Sequence, residues 1–413
     1  MKQLNHIYRC VIFLLGITLP FYQNLNNWVL GLFYAVSAVY LYFNPNQIKI
    51  NKSRKNYIFL IAGFFFITLF GMLYSEHLDQ ALKNLIRVLP MLLTPLAILI
   101  NKSFYRNFNR FFWQGLVLGC SIAMCICWTN VIYEMVLWNE PFSYLFRHRH
   151  TNHQLTDIIG MHASYLSLFV IASVAFLISQ FKSLKPQKKK YALALIVMFS
   201  FFLFFLLART LLFFYFVSIF CLIVFNRHWK AMTVVSLVII ALTFVVINVK
   251  DEYGFMYKKF YSQLPLIGKE GSQDSRFKRL MCTKNMFLKH PFIGVGTADS
   301  RSIRAQCYME IGDERAFNNR FNAHNQFFEY LDEFGLVGGS MYILVFVVAF
   351  RQSYKHKDWF FLYITLLFFV ANLTESMLQR THGVVFYSVI FSLMYSKYVS
   401  FNEEDSLANN ELA

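Results

Sequence analysis

The chain has 413 residues, of which 57% are hydrophobic, 19% aromatic and only 15% charged, and its formal net charge is +17 at neutral pH. Soluble domains carry about 25% charged residues, whereas here apolar runs recur from residue 10 to residue 399. This composition excludes a soluble globular protein and predicts an all-α polytopic membrane protein.

Twelve apolar segments predict about twelve transmembrane helices. In chain order they are 9–22, 28–43, 57–74, 85–100, 111–133, 162–181, 191–207, 210–225, 231–249, 333–350, 359–372 and 383–399. Within the first segment, the apolar run Cys10–Leu19 follows Lys2 and Arg9 and is similar to a signal peptide. Because no small-x-small cleavage site follows it, we interpret it as a retained span.

Residues 191–225 form a nearly continuous apolar run with a single charge, Arg209. One helix of this length would extend about 52 Å, well beyond a hydrocarbon core of about 30 Å. Basic residues flank the run on both sides. We therefore predict two spans that turn at residues 208–210 on the outer face, where Arg209 either reaches lipid phosphate or faces a ligand.

Lysines and arginines concentrate in alternate short loops, which places those loops and both termini in the cytoplasm. The predicted organisation has four parts, namely membrane helices 1–9 in residues 1–249, a periplasmic loop containing helices in 250–332, membrane helices 10–12 in 333–400, and a cytoplasmic tail in 401–413. We expect the acidic tail to be disordered. The long loop is basic, which calls for an anionic partner.

Cys282 and Cys307 both lie in the predicted periplasmic loop, whereas the other five cysteines lie in predicted spans. In an oxidising compartment the two could form a disulfide. The sequence leaves open whether they pair or remain free thiols, because it does not give their separation in space.

A shorter outer loop contains Arg147-His-Arg-His150 and His153. Three histidines could bind a metal ion, but the interleaved arginines repel a cation, so we favour a basic loop that is either solvated or faces phosphate. Arg147 is thus a candidate for substrate binding. The chain has no nucleotide-binding phosphate loop and no His-Glu-x-x-His motif, and we expect neither a metal site nor a cofactor.

Arg276 begins a segment whose apolar spacing predicts an amphipathic helix that ends at His290-Pro291. Such a helix could simply bind lipid headgroups. An arginine fork can also bind two phosphate oxygens at once, so Arg209 and Arg276 are candidates for binding a diphosphate. Further candidates for substrate binding in the same loop are Arg279, Arg301 and Arg304.

The stretch 322–339 leads from the polar loop back into apolar sequence. As a helix, it would place His324, Phe328 and Gly335 on one face. His324 is either a cap or packing residue, or a general base, since histidine accepts protons near neutral pH. Gly335 and Gly339 have the small-x-x-x-small spacing of closely packed membrane helices.

Four motifs together resemble the signature region of the O-antigen ligase and polymerase superfamily. They are Ser275-Arg276, His290-Pro-Phe-Ile-Gly-Val-Gly296, Ala323-His324-Asn325 and Glu333-Phe-Gly-Leu-Val-Gly338. The match covers residues 270–340, and Arg209 falls where the family places another arginine. Residues 372–377 also resemble the family's segment before the last span.

The resemblance implies an enzyme with a fold similar to the all-helical membrane glycosyltransferases. Such enzymes transfer a glycan from undecaprenyl diphosphate to an acceptor hydroxyl at the periplasmic face of the bacterial inner membrane, without a metal. By the same resemblance, Arg209 and Arg276 would bind the diphosphate and His324 would be the general base, with inversion at the anomeric carbon.

The resemblance supports the reaction class better than the acceptor. Ligases of lipopolysaccharide biosynthesis use a sugar of lipid A-core, but polymerases and protein O-oligosaccharyltransferases share the pattern. We favour a ligase because the sequence is compact. The implied partners are the lipid-linked glycan, lipid A-core or another glycan acceptor, and membrane lipids, with no nucleic acid. A lipid or glycan transporter and a non-catalytic scaffold are the alternatives from other classes.

Overall fold

The computed structural model describes residues 2–141, 145–225 and 275–411, with side chains over 2–141, 145–222 and 279–401. Within these ranges the regular structure is helical, apart from one isolated antiparallel bridge between Ile48 and Asn101. The all-α prediction is therefore confirmed for this part of the chain. The predicted span 231–249 and the first part of the predicted loop, 250–274, lie outside the described residues.

The described helices are named here in chain order. They are α1 Lys2–Thr18, α2 Gln23–Phe43, α3 Lys52–Met72, α4 Leu78–Val88, α5 Pro90–Leu99, α6 Phe104–Leu137, α7 Asn152–Thr156, α8 Ala163–Gln180, α9 Pro186–Leu206, α10 Arg209–Phe225, α11 Ser275–Lys289, α12 Ser300–Glu310, α13 Glu314–Asn318, α14 Gln326–Lys355, α15 Trp359–Thr374 and α16 Thr381–Glu411.

Seven helical stretches of the described residues are long and apolar enough to cross a membrane. They are Lys52–Met72, Leu78–Leu99, Phe104–Leu137, Ala163–Ser183, Pro186–Leu206, Gln326–Lys355 and Thr381–Phe401. Two shorter apolar helices are Arg209–Leu222 and Trp359–Thr374. The chain is thus a multi-pass membrane protein, while the number of twelve spans stays a prediction.

The chain divides into two compact units, one made of Met1–Leu118 and Ser275–Ala413 and the other of Gly119–Asp274. In the first unit, α16 packs against α3 and α5, and α14 packs against α3 and α15. The apolar window of α16 is 83% buried, so this helix is the centre of that unit. In the second unit, α8 packs against α9 and α10.

The predicted pair of helices in 191–225 is confirmed. The first helix ends at Leu206, where Leu207 adopts a left-handed conformation with φ +52°, and the next helix begins at Arg209. A left-handed residue ends a helix because it turns the chain away from the helix axis. The break therefore falls at 207–208 and overlaps the start of the turn predicted at 208–210.

Two predictions about where helices begin or end differ from the structure. Helix α14 begins at Gln326, so His324 lies outside it, and the prediction of one helix through His324 and Gly335 is wrong. Asn325 caps this helix, because its side-chain oxygen accepts hydrogen bonds from the N–H groups of Phe327 and Phe328. The expectation of a disordered tail is also wrong, since α16 continues to Glu411 through leucine, alanine and glutamate, which favour helices.

Helix α14 is broken at Gly335, which has φ +59° and ψ −146°. A Cβ atom at this position would lie 2.5 Å from the carbonyl carbon of Phe292 and 2.6 Å from the backbone oxygen of Pro291. Glycine is therefore required both for its conformation and for the close approach of residues 290–296. We call residues 290–296 the signature segment.

Four backbone hydrogen bonds join the signature segment to the two sides of the break. After the break, the N–H groups of Leu336 and Val337 donate to the backbone oxygens of Pro291 (2.7 Å) and Phe292 (3.3 Å). Before the break, the backbone oxygens of Asp332 and Glu333 accept from the N–H groups of Val295 (3.0 Å) and Gly296 (2.9 Å). A helix break leaves N–H and C=O groups without intrahelical partners, and such groups need others when they are buried. Two of the sequence motifs therefore form one structural unit.

Candidate functional site

His324 lies in the turn before α14, with a left-handed φ of +50°. The side-chain oxygen of Asn322 accepts a hydrogen bond from the His324 N–H (3.1 Å). The amide of Asn325 donates to the backbone oxygen of Leu373 at the end of α15 (3.1 Å). Because a left-handed conformation is unfavourable for histidine, these contacts on both sides hold the turn in place.

A carboxylate lies beside the imidazole. Nδ1 of His324 is 3.4 Å from Oε2 of Glu375, the residue that follows α15. The two side chains are 28% and 20% exposed, so the pair is sheltered but open to solvent on one side. A carboxylate in this position orients the imidazole ring. The pair has the arrangement of a general base and its orienting group.

The histidine opens onto a cavity of about 300 Å³, which we call the His324 cavity. Its wall combines a cation, the polar turn and apolar side chains. The lining residues are Arg279, Leu280, Ala323, His324, Asn325, Phe328, Leu373 and Thr374. The cavity therefore brings together α11, the turn before α14 and the end of α15.

Arg279 supplies the positive charge of this cavity. Its Nε donates to Oδ2 of Asp313 (2.9 Å), and its guanidinium lies 4.7 Å from the centre of the Phe321 ring. Arg276 precedes it by three residues in α11, so both share one helix face. The side chain of Arg276 lies outside the described residues. Of the two, Arg279 is the one that the structure shows lining the same cavity as His324.

Arg304 is not accessible to a substrate. Its side chain is fully buried, its fork donates to both carboxylate oxygens of Glu329 (2.7 and 2.9 Å), and Asp332 lies 3.2 Å away. Burial lowers the pKa of this guanidinium, but the two carboxylates outweigh it and hold that pKa above its ordinary value. The structure therefore places Arg304 in the interior, in contrast to its prediction as a substrate-binding residue.

Three other predicted arginines are Arg301 in the first unit and Arg147 and Arg209 in the second. Arg301 is exposed on α12. In the second unit, Arg147 lies 3.8 Å from Glu140, and Nε2 of the buried His150 lies 3.1 Å from the same carboxylate. Carboxylates therefore neutralise part of this basic loop. Arg209, also in the second unit, is half-buried at the start of α10.

Cys282 and Cys307 form a disulfide with a Cα–Cα distance of 5.8 Å, which joins α11 to α12. Cys282 is fully buried in a small core with Tyr308 and Ala316. The helix that carries Arg279 is thus covalently attached to its neighbour.

A larger cavity of about 630 Å³ lies beside the signature segment, and we call it the His77 cavity. Nδ1 of His77 lies 2.6 Å from Oδ1 of the buried Asp299. The same carboxylate accepts hydrogen bonds from the N–H groups of Glu76 (2.8 Å) and His77 (3.3 Å). Burial and the nearby Glu333 raise the pKa of Tyr74, which also lines this cavity, to about 12. Asp299 therefore holds the turn between α3 and α4 against α12.

Sequence reasoning did not single out Glu375 as a site residue. Its only signal was the resemblance of residues 372–377 to a family segment, which carried no role. Local patterns could not reveal that His324 and Glu375, 51 residues apart, are in contact. The same holds for the different positions of Arg279 and Arg304, which look alike in the sequence.

Fold and site together define a multi-pass helical membrane protein that pairs a histidine with a carboxylate at an arginine-lined cavity. That combination suits the transfer of a group from an anionic leaving group to a hydroxyl. In a comparison with protein families, residues 193–343 match the family model of the O-antigen ligase. This part of the chain is thus similar to the O-antigen ligase domain, and proteins of that family are ligases and polymerases of the glycosyltransferase type. A search of the curated proteins found no match to this chain.

Proposed function

We propose that this protein transfers a glycan from undecaprenyl diphosphate to a sugar hydroxyl of lipid A-core. The reaction takes place at the periplasmic face of the bacterial inner membrane, and both termini lie in the cytoplasm. The observation that carries the proposal is the His324 cavity, where a histidine–carboxylate pair and Arg279 converge. His324 and Arg279 lie in the part of the chain that matches the O-antigen ligase family model, and Glu375 follows it.

His324 acts as the general base in a single displacement. Its Nδ1 faces Glu375, which leaves Nε2 to take the proton from the acceptor hydroxyl. The acceptor oxygen then forms a bond to the anomeric carbon while the bond from that carbon to the diphosphate oxygen breaks. Undecaprenyl diphosphate leaves with the electron pair, and the anomeric configuration is inverted.

The negative charge that develops on the diphosphate requires cations placed in advance. Arg209 and Arg276 are the proposed diphosphate-binding residues. Arg279 shares a helix face with Arg276 and lines the His324 cavity. We therefore expect Arg279 to contribute to binding of the diphosphate. Each such donor typically contributes a few kcal/mol to the stabilisation of the transition state.

The experiment is reconstitution of the purified protein in liposomes with glycan linked to undecaprenyl diphosphate. Lipid A-core, a second lipid-linked glycan and an acceptor protein are offered separately. Product on lipid A-core supports a ligase, whereas chain extension indicates a polymerase and glycosylated protein indicates an oligosaccharyltransferase. Movement of the glycan across the bilayer without transfer would instead indicate a transporter. Activity that persists in EDTA is expected, because the proposed proton transfer uses only His324.

The base is tested with His324→Gln, which keeps a polar side chain of similar size but cannot take up the proton. Loss of a general base costs about 10²- to 10⁴-fold in rate. The matched control is His6→Gln, a substitution of an exposed histidine in α1. Transfer at the normal rate by correctly inserted His324→Gln protein would refute the role of His324.

A further inference from the structure

The carboxylate of Glu329 is the meeting point of three segments around the His324 cavity. It is fully buried in the first turn of α14 and accepts four hydrogen bonds. The donors are Nη1 (2.9 Å) and Nη2 (2.7 Å) of Arg304, the backbone N–H of Ala323 (2.7 Å) and the hydroxyl of Ser376 (3.2 Å).

Two of these donors stand directly beside the proposed base and its partner. Ala323 precedes His324 in the chain, and Ser376 follows Glu375. One carboxylate therefore binds both chain segments that carry the pair, although the two segments are about 50 residues apart in the sequence. Displacement of Glu329 would move both segments and change the contact between Nδ1 and Oε2.

Arg304 fixes this carboxylate from the other side. A two-point contact between an arginine fork and a carboxylate defines the orientation of both groups. Buried ion pairs often add little net stability compared with well-packed apolar residues of the same size. The main contribution of such an ion pair is then to orient the chain segments around it. We call Arg304 and Glu329, with the contacts to Ala323 and Ser376, the Glu329 anchor.

We propose that Glu329, held by Arg304, is a positioning residue that sets the geometry between His324 and Glu375 for proton transfer. This inference rests on the proposed function, because it assigns a consequence to the orientation of the base. Arg304, which the sequence suggested as a substrate-binding residue, then helps to position the base.

A positioning role and a purely structural role predict different kinetics. A small displacement of a reacting group lowers the rate of the chemical step and leaves the binding of substrates nearly unchanged. A purely structural defect lowers the amount of folded protein, and each folded molecule keeps its normal kcat. Measurements must therefore be made per folded molecule, with kcat and KM determined separately.

The main test compares Glu329→Gln with the wild-type protein in the liposome transfer assay with lipid A-core. We expect kcat to fall on the order of 10- to 100-fold, with little change in the KM for either substrate. Ser376→Ala is the second variant, because it removes one hydrogen bond and leaves the ion pair with Arg304 in place. We expect it to lower kcat in the same direction by a smaller factor.

A double variant gives an independent readout. Glu329 acts on the base through the contact between His324 and Glu375. The kcat of the variant that carries both Glu329→Gln and Glu375→Gln should therefore be no lower than that of Glu375→Gln alone, because both changes act through one pair.

The matched control is Asp332→Asn, which also removes a buried carboxylate 3.2 Å from Arg304. Its side chain makes none of the hydrogen bonds that join Glu329 to Ala323 and Ser376. We expect thermal destabilisation and an unchanged kcat per folded molecule.

Two results separate the failure of this inference from the failure of the proposed function. Full activity of His324→Gln would overturn the proposed function. An inactive His324→Gln protein, together with wild-type kcat in both Glu329→Gln and Ser376→Ala, would overturn the positioning role alone.

Discussion

The substitution Gly335→Ala tests the fit between the break in α14 and the signature segment. Its backbone conformation, with φ +59° and ψ −146°, is strained for any L side chain and costs about 1–3 kcal/mol. The new methyl group would lie 2.5 Å from the carbonyl carbon of Phe292 and 2.6 Å from the oxygen of Pro291. These are backbone atoms, so the signature segment must move as a whole.

Movement of that segment weakens the hydrogen bonds that Leu336 and Val337 donate to it, at about 1 kcal/mol each. The total loss is about 3–5 kcal/mol, a large share of the 5–15 kcal/mol typical of a folded domain. Thermal unfolding of the detergent-purified protein measures it, and the transfer rate should fall as well because the His324 cavity borders α14.

Two other glycines separate the contributions. Gly312 has φ +72° with open space where a Cβ would point, so Gly312→Ala should cost only the strain, about 1–2 kcal/mol. Gly31 lies inside α2 with no neighbour within 4 Å of the added Cβ, so Gly31→Ala should be neutral or stabilising by up to about 1 kcal/mol. If Gly335→Ala is no less stable than Gly312→Ala, the close approach of Phe292 is not what requires glycine.

Two further predictions concern the contacts of Asp299 and the disulfide between α11 and α12. Asp299→Asn should destabilise the protein by about 1–3 kcal/mol, because a buried acceptor of the hydrogen bonds from Glu76 and His77 loses its charge. Thermal unfolding checks this against Asp79→Asn, a change at an exposed residue in α4, and equal stability of the two variants would contradict it. Replacement of Cys282 and Cys307 by alanine should cost about 3 kcal/mol. Non-reducing digestion and mass spectrometry should find the cross-linked peptide in the wild-type protein, and two free thiols there would refute the pairing.

Several features followed from the sequence because they depend on local properties of the chain. Apolar runs predicted helices in a membrane, since unpaired backbone groups are not tolerated in lipid. The length of 191–225 required two helices, and the break at 207–208 agrees with that estimate. The motifs in 270–340 predicted the O-antigen ligase relationship that the family match over 193–343 confirmed.

The roles of individual residues in those motifs depended on tertiary structure. Gly335 had the spacing of a helix-packing residue, but the structure uses it to break the helix against Phe292. Arg279 and Arg304 are both loop arginines in the sequence. One lines the His324 cavity and the other is buried against Glu329. The difference arises from which side of each helix faces the core, and that depends on packing partners from distant parts of the chain.

By itself, the sequence determined the class of the protein, its helical membrane fold and His324 as the candidate base. Only the tertiary structure decided that Glu375 is its partner and that Glu329 joins the two segments that carry them. Composition and periodicity depend only on residues that are close together in the sequence. A hydrogen bond across about 50 residues depends on how the helices pack, so no local pattern specifies it.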